Sequence, residues 1–242
     1  MKKPINTQHG QHCATTCEHC ALVDICLPVG LSAEDLVTIE SVVQKSIAVK
    51  SGEAIVQAGQ HFKSVFAVKS GSFKSTAHTQ LGKEQVVGFS LAGEMFGFDA
   101  IASQRYAFSV IALEDSLVCE LPFSDILTVA AQVPKLQTHL FVTMSQNLNS
   151  MQAIGLQSTA DERLANFLLN LSARLARRGM SATQIHLSMP RQDIANCLGL
   201  ATETISRLLT KLQKKSVIKI DGRDILILDL RLLQKISCGE VV

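Results

Sequence analysis

The sequence predicts an α+β protein with an N-terminal jelly-roll β-barrel, a long helix and a C-terminal winged helix-turn-helix. Short β-rich stretches alternate with glycine turns from about residue 47 to 123. An apolar helical stripe follows Pro134, and the pattern of residues 191–212 predicts a helix, a glycine turn and a second helix. Many short strands at this spacing are typical of sandwiches and barrels, and the last pattern is typical of a helix-turn-helix.

Length and composition allow a globular chain of one large domain or two modest ones. Of the 242 residues, 47% are hydrophobic and 18% are charged, which excludes a disordered chain. No apolar run reaches the ~18–20 residues that cross a bilayer, and no apolar segment of a signal peptide follows the basic first residues. We therefore expect a cytoplasmic protein that does not bind membranes.

Changes in composition divide the chain into four units. Residues 1–30 are polar and rich in cysteine, 31–133 hold the β-barrel, 134–157 form the long helix and 158–242 form the winged helix-turn-helix. The strands of the barrel are expected at Ile47–Val49, Ala54–Gln57, Ser64–Val68, Gly71–Ala77, Gln85–Ser90, Ser109–Ala112 and Ser116–Leu121.

Leucine and methionine recur every three or four residues along the long helix. Such a stripe either covers an edge of the barrel or pairs with the same stripe of a second copy. The near-heptad spacing favours the pairing. We therefore expect a homodimer whose interface includes Leu140, Met144, Leu148 and Met151.

Charge is distributed unevenly along the chain. Residues 161–242 hold 13 Lys and Arg against 8 Asp and Glu, whereas the whole chain has 23 against 21. A basic C-terminal third indicates a polyanion partner. This region contains two short predicted helices, Arg191–Leu198 and Thr202–Leu212, around Gly199, which permits the positive φ of a tight turn. A β-hairpin, the wing, is expected after them.

The second short helix carries residues suited to reading bases. In helix-turn-helix proteins its N-terminal part enters the major groove. Glu203, Ser206 and Arg207 lie at i, i+3 and i+4 and share one face. Arginine donates twice to guanine, glutamate accepts from cytosine and serine serves either role. The alternative is a surface ion pair between Glu203 and Arg207. The expected contacts with double-stranded DNA are Arg191, Thr202, Glu203, Ser206, Arg207 and Lys211.

Four of the seven cysteines fall between residues 13 and 26. Cys17, Cys20 and Cys26 form a C-x2-C-x5-C pattern, with Cys13 just before it. Clustered thiols in a protein that is not secreted indicate a metal centre rather than disulfides. Three ligands need a fourth, and Cys119, at the end of a predicted strand, can supply it. Iron–sulfur and zinc both remain open, because Cys13 or a histidine could also close a zinc site.

Together these motifs resemble the FNR branch of the CRP/FNR family, the regulators of fumarate and nitrate reduction. The resemblance covers almost the whole chain, and its specificity comes from the combination of motifs. It rests on the cysteine run at 13–26 and on Gly82–Phe89, Ala92–Ile101, Val118–Phe123 and Thr204–Leu209.

The resemblance implies a cyclic-nucleotide-binding-like barrel as the sensor domain. It implies that oxygen converts a [4Fe-4S] cluster to [2Fe-2S] and loosens the dimer, which controls anaerobic gene expression. It also implies a palindromic DNA site like TTGAT-N4-ATCAA and an RNA polymerase contact at Gly82–Gly88. The implied cluster ligands are Cys17, Cys20, Cys26 and Cys119. The stretch 144–161 is shorter than the family pattern and lacks its acidic residues, which leaves a more permanent dimer open.

Two other functions are alternatives. A CRP-like regulator would sense a small molecule in the barrel pocket, and its cysteines would hold a structural zinc. Gly93-Glu94 and Arg105 match groups that bind ribose and phosphate in such pockets, but Tyr106 stands where a small hydroxyl residue is needed. An enzyme is the second alternative, but the sequence has no glycine-rich dinucleotide loop or P-loop. We therefore expect no enzymatic activity.

Overall fold

The structure is a computed structural model that describes residues 45–78, 82–155 and 159–240, together with Cys20, Leu22, Cys26, Asp35, Thr38 and Val43. The side chains of residues 148–155 are not described. Most of the cysteine-rich unit therefore lies outside the described residues, including Cys13 and Cys17. The side chains of Leu148 and Met151 lie outside them as well.

Two four-stranded antiparallel sheets form the N-terminal domain. One sheet has the strand order β1-β8-β3-β6 and the other has the order β2-β7-β4-β5. The chain thus passes back and forth between the two sheets, as it does in a jelly roll. The seven predicted strands are confirmed, with ends that differ by at most two residues. The strands are β1 (Lys45–Val49), β2 (Ala54–Val56), β3 (Ser64–Ser70), β4 (Ser72–His78), β5 (Glu84–Leu91), β6 (Met95–Phe96), β7 (Ser109–Ala112) and β8 (Ser116–Pro122).

The short strand β6 has no counterpart in the sequence prediction. Met95 and Phe96 are both buried, so no alternation of polar and apolar residues marks the strand. Phe96 stacks on Phe66 of the neighbouring strand with ring centroids 5.3 Å apart. It also contacts Phe73 of the opposite sheet at 5.5 Å. These aromatic contacts join the two sheets of the jelly roll.

Two helices, α1 (Phe123–Gln132) and α2 (Pro134–Gly155), follow the sheets. Proline is favoured in the first turn of a helix because its missing N–H needs no partner there. Val133 has a non-helical backbone, as a residue before proline usually does, and it separates the two helices. The long helix predicted after Pro134 is confirmed, whereas α1 is an additional element.

The C-terminal domain packs four helices on a small sheet with the order β10-β11-β9. Thr159 caps the first of these helices: its hydroxyl accepts from Glu162 N at 3.2 Å and donates to Glu162 Oε1 at 2.8 Å. The predicted helix-turn-helix and wing are confirmed, and β9 adds a third strand. The elements are α3 (Ala160–Ala176), β9 (Gln184–His186), α4 (Arg191–Leu198), α5 (Thr202–Lys214), β10 (Ile218–Asp221), β11 (Asp224–Ile227) and α6 (Leu230–Ser237). No helix in the described part of the chain combines the length and hydropathy needed to cross a bilayer.

Substitution of Gly71 tests how closely the turn between β3 and β4 packs on β8. Its φ of +80° favours glycine, and an added Cβ would lie 2.9 Å from the Cα of Ser116. We expect Gly71→Ala to lower the free energy of unfolding by about 1–2 kcal/mol for the left-handed backbone and by a further ~1–3 kcal/mol for the overlap. Gly52→Ala is the control, because its φ is +82° and an added Cβ meets nothing within 4 Å. Equal losses in urea unfolding of the two variants would contradict this packing.

Candidate DNA interface and cysteine site

Gly199 sets the angle between α4 and α5. It ends α4 with φ 65° and ψ 36°, the left-handed conformation that glycine adopts without strain. The next amide, that of Leu200, donates back to Ala195 O at 2.9 Å. Ile194 and Ile205 are buried in the core of the domain. The turn and this apolar packing together direct one face of α5 outward.

The recognition face, defined as Glu203, Ser206 and Arg207, is open to solvent. Glu203 and Arg207 are exposed, and Ser206 is half-buried. Arg207 Nη2 donates to Thr204 Oγ1 at 3.2 Å. Within the residues that the structure describes, no salt bridge joins Glu203 to Arg207. The alternative interpretation, a surface ion pair, therefore lacks support, and both charged groups can meet base edges.

The other three expected DNA contacts lie around this face with different partners. Arg191 begins α4, and its Nη1 donates to Ser206 Oγ at 3.4 Å. Thr202 begins α5 and is half-buried. Lys211 Nζ lies 2.6 Å from Asp161 Oδ1 at the start of α3. The Lys211 ammonium therefore forms an ion pair inside the domain, a contact that the sequence analysis missed.

The Cys119 thiol lies on β8, between β1 and β3. Its Sγ is 3.9 Å from Ser46 Oγ, and Ala67 is its neighbour on β3. Burial raises the pKa of Cys119. The hydrogen bond with Ser46 and the charge of Lys69 oppose this shift, and Cys20 adds to it. Cys20 and Cys119, far apart in the sequence, are therefore close enough in space to interact electrostatically.

Cys20 and Cys26 are half-buried, and neither forms a disulfide. Cys26 N donates to Leu22 O at 2.9 Å and closes a turn. Cys26 also packs against the jelly-roll core, as Cys119 does. Among the described residues, no three His, Cys, Asp or Glu side chains are close enough to hold a metal ion. Cys17, the remaining expected ligand, lies outside them. The soft thiol donors on one domain fit an iron–sulfur cluster or zinc.

Helix α2 turns different sides to the jelly roll and to solvent. Leu140 packs against the jelly-roll core, and Met144 lines a cavity. Another side of the helix exposes 63% of Phe141 and 46% of Val142. Leu140 and Met144, the two expected interface residues whose side chains are described, are thus half-buried beside other parts of the same chain, and the exposed apolar groups are their neighbours.

A cavity of about 840 Å³ lies between the jelly roll, α2 and α3. Glu94 lines it, but its carboxylate is paired with Arg174 and Arg178. Arg105 does not belong to the lining, and its Nη1 donates to Gly59 O at 2.8 Å. The groups expected to bind ribose and phosphate therefore do not converge in this cavity. The arginine partners could not be predicted from the sequence, because Arg174 lies 80 residues from Glu94 in the chain.

Comparison with known proteins gives consistent matches along the chain. Residues 46–133 match the cyclic nucleotide-binding domain family, and residues 162–236 match the Crp-like helix-turn-helix domain family. The transcriptional activator protein anr of Pseudomonas aeruginosa is 40% identical over 228 residues, 93% of each chain. The fumarate and nitrate reduction regulatory protein of Escherichia coli is 38% identical over 218 residues, 89% of this chain and 87% of its own length. The solved structure of FixK2 from Bradyrhizobium japonicum has a TM-score of 0.72 at 25% identity, over 80% of this chain and 96% of that chain.

Burial sets the reactivity of the thiols in metal-free protein. It raises the pKa of Cys197 from 9.0 to about 11, so its thiolate fraction at pH 8 is about a hundredfold below that of an ordinary thiol. We expect iodoacetamide to alkylate the exposed Cys238 at least ~100-fold faster than Cys197, as measured by mass spectrometry of peptides. In urea the two thiols should react at similar rates. Similar rates in the folded protein would show that Cys197 is not buried.

Proposed function

Since the chain belongs to the CRP/FNR family of transcription regulators, we propose that it is an oxygen-responsive regulator of anaerobic gene expression. The relatives named above are transcription regulators rather than enzymes. One observation carries the proposal: Cys26 and Cys119, far apart in the sequence, both pack against the jelly-roll core of a chain whose α5 has an open recognition face. We expect the protein to act in the cytoplasm, where its DNA partner lies.

The recognition face supports sequence-specific DNA binding. The exposed guanidinium of Arg207 suits guanine O6 and N7, and the carboxylate of Glu203 suits cytosine N4. Lys219 on β10 and Arg223 at the tip of the wing are exposed and can contact phosphates. We infer that each face reads one half-site of a palindrome like TTGAT-N4-ATCAA.

A palindrome requires two copies of the recognition face, about 34–36 Å or one DNA turn apart. A homodimer through α2 supplies the second copy. The exposed Phe141 and Val142 support an interface on this helix, and we extend it along the helix to Leu148 and Met151. RNA polymerase is a further proposed partner, and the segment Gly82–Gly88 is its expected contact.

We propose that Cys17, Cys20, Cys26 and Cys119 hold a [4Fe-4S] cluster. The free thiols of Cys20, Cys26 and Cys119, and the packing of Cys26 and Cys119 against one apolar core, support this ligand set. A bound cluster supplies a redox centre that oxygen can oxidise. The chain contributes the thiols and, through Cys119, ties the cysteine-rich segment to β8.

Strand β8 connects the thiols to the dimer helix. The strand ends at Pro122, α1 begins at Phe123 and α2 begins at Pro134. Phe123 N also donates to Lys63 O at 3.0 Å, which fixes the start of α1 on the jelly roll. A change in the ligand contact of Cys119 therefore has a path along the chain to α2. A modest change in dimerisation then becomes a large change in occupancy of two half-sites.

Replacement of single cysteines tests the ligand set. Anaerobically purified protein should absorb near ~400 nm and contain about four irons per chain. We expect Cys20→Ala and Cys119→Ala to lose the absorption, the iron and the sulfide. Cys197→Ala and Cys238→Ala are the controls, because both thiols belong to the C-terminal domain, and these variants should keep the cluster. One zinc and no sulfide in the unaltered protein would overturn the cluster and favour a structural zinc.

Arg207→Ala tests base reading by the recognition face. We expect it to weaken binding by about 1–3 kcal/mol and to remove the preference for one base pair, because a bidentate contact is lost. Lys214→Ala is the comparison, since this exposed residue at the end of α5 suits a phosphate contact. It should weaken binding to all sequences alike and lower the salt slope by about 1.

Fluorescence anisotropy with palindromes altered one base pair at a time distinguishes the two effects. A loss for Arg207→Ala that is the same at every sequence would contradict its role in base reading.

A further inference from the structure

A buried ion cluster joins the jelly roll to the C-terminal domain. Glu94, in the turn between β5 and β6, accepts from Arg174 Nε at 2.8 Å and from Arg178 Nη2. Arg174 Nη2 also donates to Phe89 O at 2.7 Å. The side chains of Glu94, Arg174 and Arg178 are 26%, 13% and 6% exposed. Separation of these groups would leave poorly solvated charges without partners.

The carboxyl group of Glu94 is held in its charged form. Burial alone would raise its pKa, but Arg174 and Arg178 outweigh burial and lower the pKa below its ordinary value. The ion cluster is therefore intact at neutral pH. It would be lost only when the pH falls through the lowered pKa of Glu94, because protonation removes the charge that both arginines meet.

A second set of contacts ties α4 to β5 and its neighbour β4. Asn196 Oδ1 accepts from Val86 N at 2.8 Å, and Asn196 Nδ2 donates to Glu84 O at 3.0 Å. Lys74 Nζ lies 3.1 Å from Asp193 Oδ1. The first helix of the helix-turn-helix is thus bonded directly to the edge strand of one sheet. We call these contacts and the ion cluster the domain seam.

The domain seam leaves the recognition face open. Its contacts come from α3 and α4, and Phe89 adds an edge-on ring contact with Phe167 at 6.0 Å. Glu203 and Arg207 on α5 remain exposed. The jelly roll therefore binds the helix-turn-helix on a side that does not read DNA. Contacts on that side can set the orientation of the domain without covering the recognition face.

We propose that Glu94 is a positioning residue for DNA binding, which holds the helix-turn-helix at a fixed orientation to the jelly roll through Arg174 and Arg178. The inference rests on the proposed function, which supplies the dimer and its two half-sites. One recognition face reads a half-site without help from the domain seam. A palindrome needs two faces at a set separation, and fixed docking lowers the freedom that is lost on binding.

The test compares Glu94→Gln with Glu53→Gln in the anaerobic full-length protein. Glu53 accepts from Lys50 N at 3.0 Å, as Glu94 accepts from Leu91 N at 3.0 Å, so both cap a turn three residues back. The described hydrogen bonds of Glu53 stay within the jelly roll. Glu53→Gln therefore makes the same substitution at an equivalent turn contact that takes no part in the domain seam.

We expect Glu94→Gln to bind the palindrome about tenfold more weakly, because the effective concentration of the second face falls. It should also tolerate altered spacing between the half-sites and bind a single half-site with unchanged affinity. Glu53→Gln should match the unaltered protein on both DNAs. Unchanged or tighter binding of the palindrome by Glu94→Gln would overturn the proposal. An equal loss on both DNAs would also overturn it, because the recognition face itself would then be damaged.

Amide hydrogen exchange provides a second readout. It uses no DNA, so it tests the docking of the two domains even if the proposed function is wrong. The Val86 amide donates across the domain seam to Asn196. We expect Glu94→Gln to speed exchange in peptides that cover β5 and α4, with β3 and α6 unchanged. Exchange that stays slow at β5 and α4 would overturn the proposal, and faster exchange throughout the chain would do so too.

Discussion

The carboxylate of Glu94 between two arginines is the interaction on which the arrangement of the two domains depends. The jelly roll and the C-terminal domain each have their own apolar core. Between them, Phe89 and Leu91 add apolar contact, but the hydrogen bonds and ion pairs of the domain seam fix the orientation of one domain relative to the other. Charges removed from water must stay paired, so small shifts between the domains are costly. The orientation of the recognition face relative to the jelly roll follows from this docking.

The jelly roll therefore reaches the DNA-binding domain by two routes. One is the domain seam, which runs from β4 and β5 to α3 and α4. The other follows the chain from Cys119 on β8 through α1 to α2, and on the proposed function it carries the oxygen signal to the dimer. Both routes begin at strands of the jelly roll, in whose core Phe96 joins the two sheets. The thiols can thus change their ligand contacts while the recognition face keeps its orientation relative to the jelly roll.

Local signals were sufficient to predict α4, α5 and seven strands of the jelly roll. Gly199 marks the turn, and the apolar periods mark the elements on both sides of it. What could not be predicted depends on contacts between distant residues. The stripe of α2 has a helical period, but a period does not show which side of the helix contacts the jelly roll, so the contact of Leu140 with the jelly-roll core could not be predicted. Glu94 beside Gly93 resembled a ribose ligand, because its arginine partners become neighbours only when the domains dock.

On the proposed function, the thiols of the jelly roll control binding to a palindrome through the dimer. The most direct measurement follows visible absorption and palindrome affinity in one anaerobic sample as air is admitted. We expect the affinity for the palindrome to fall in step with the absorption near ~400 nm, while the affinity for a single half-site stays constant. Absorption that decays with no change in palindrome affinity would contradict control by the thiols, as would an air-insensitive, colourless protein that binds the palindrome tightly.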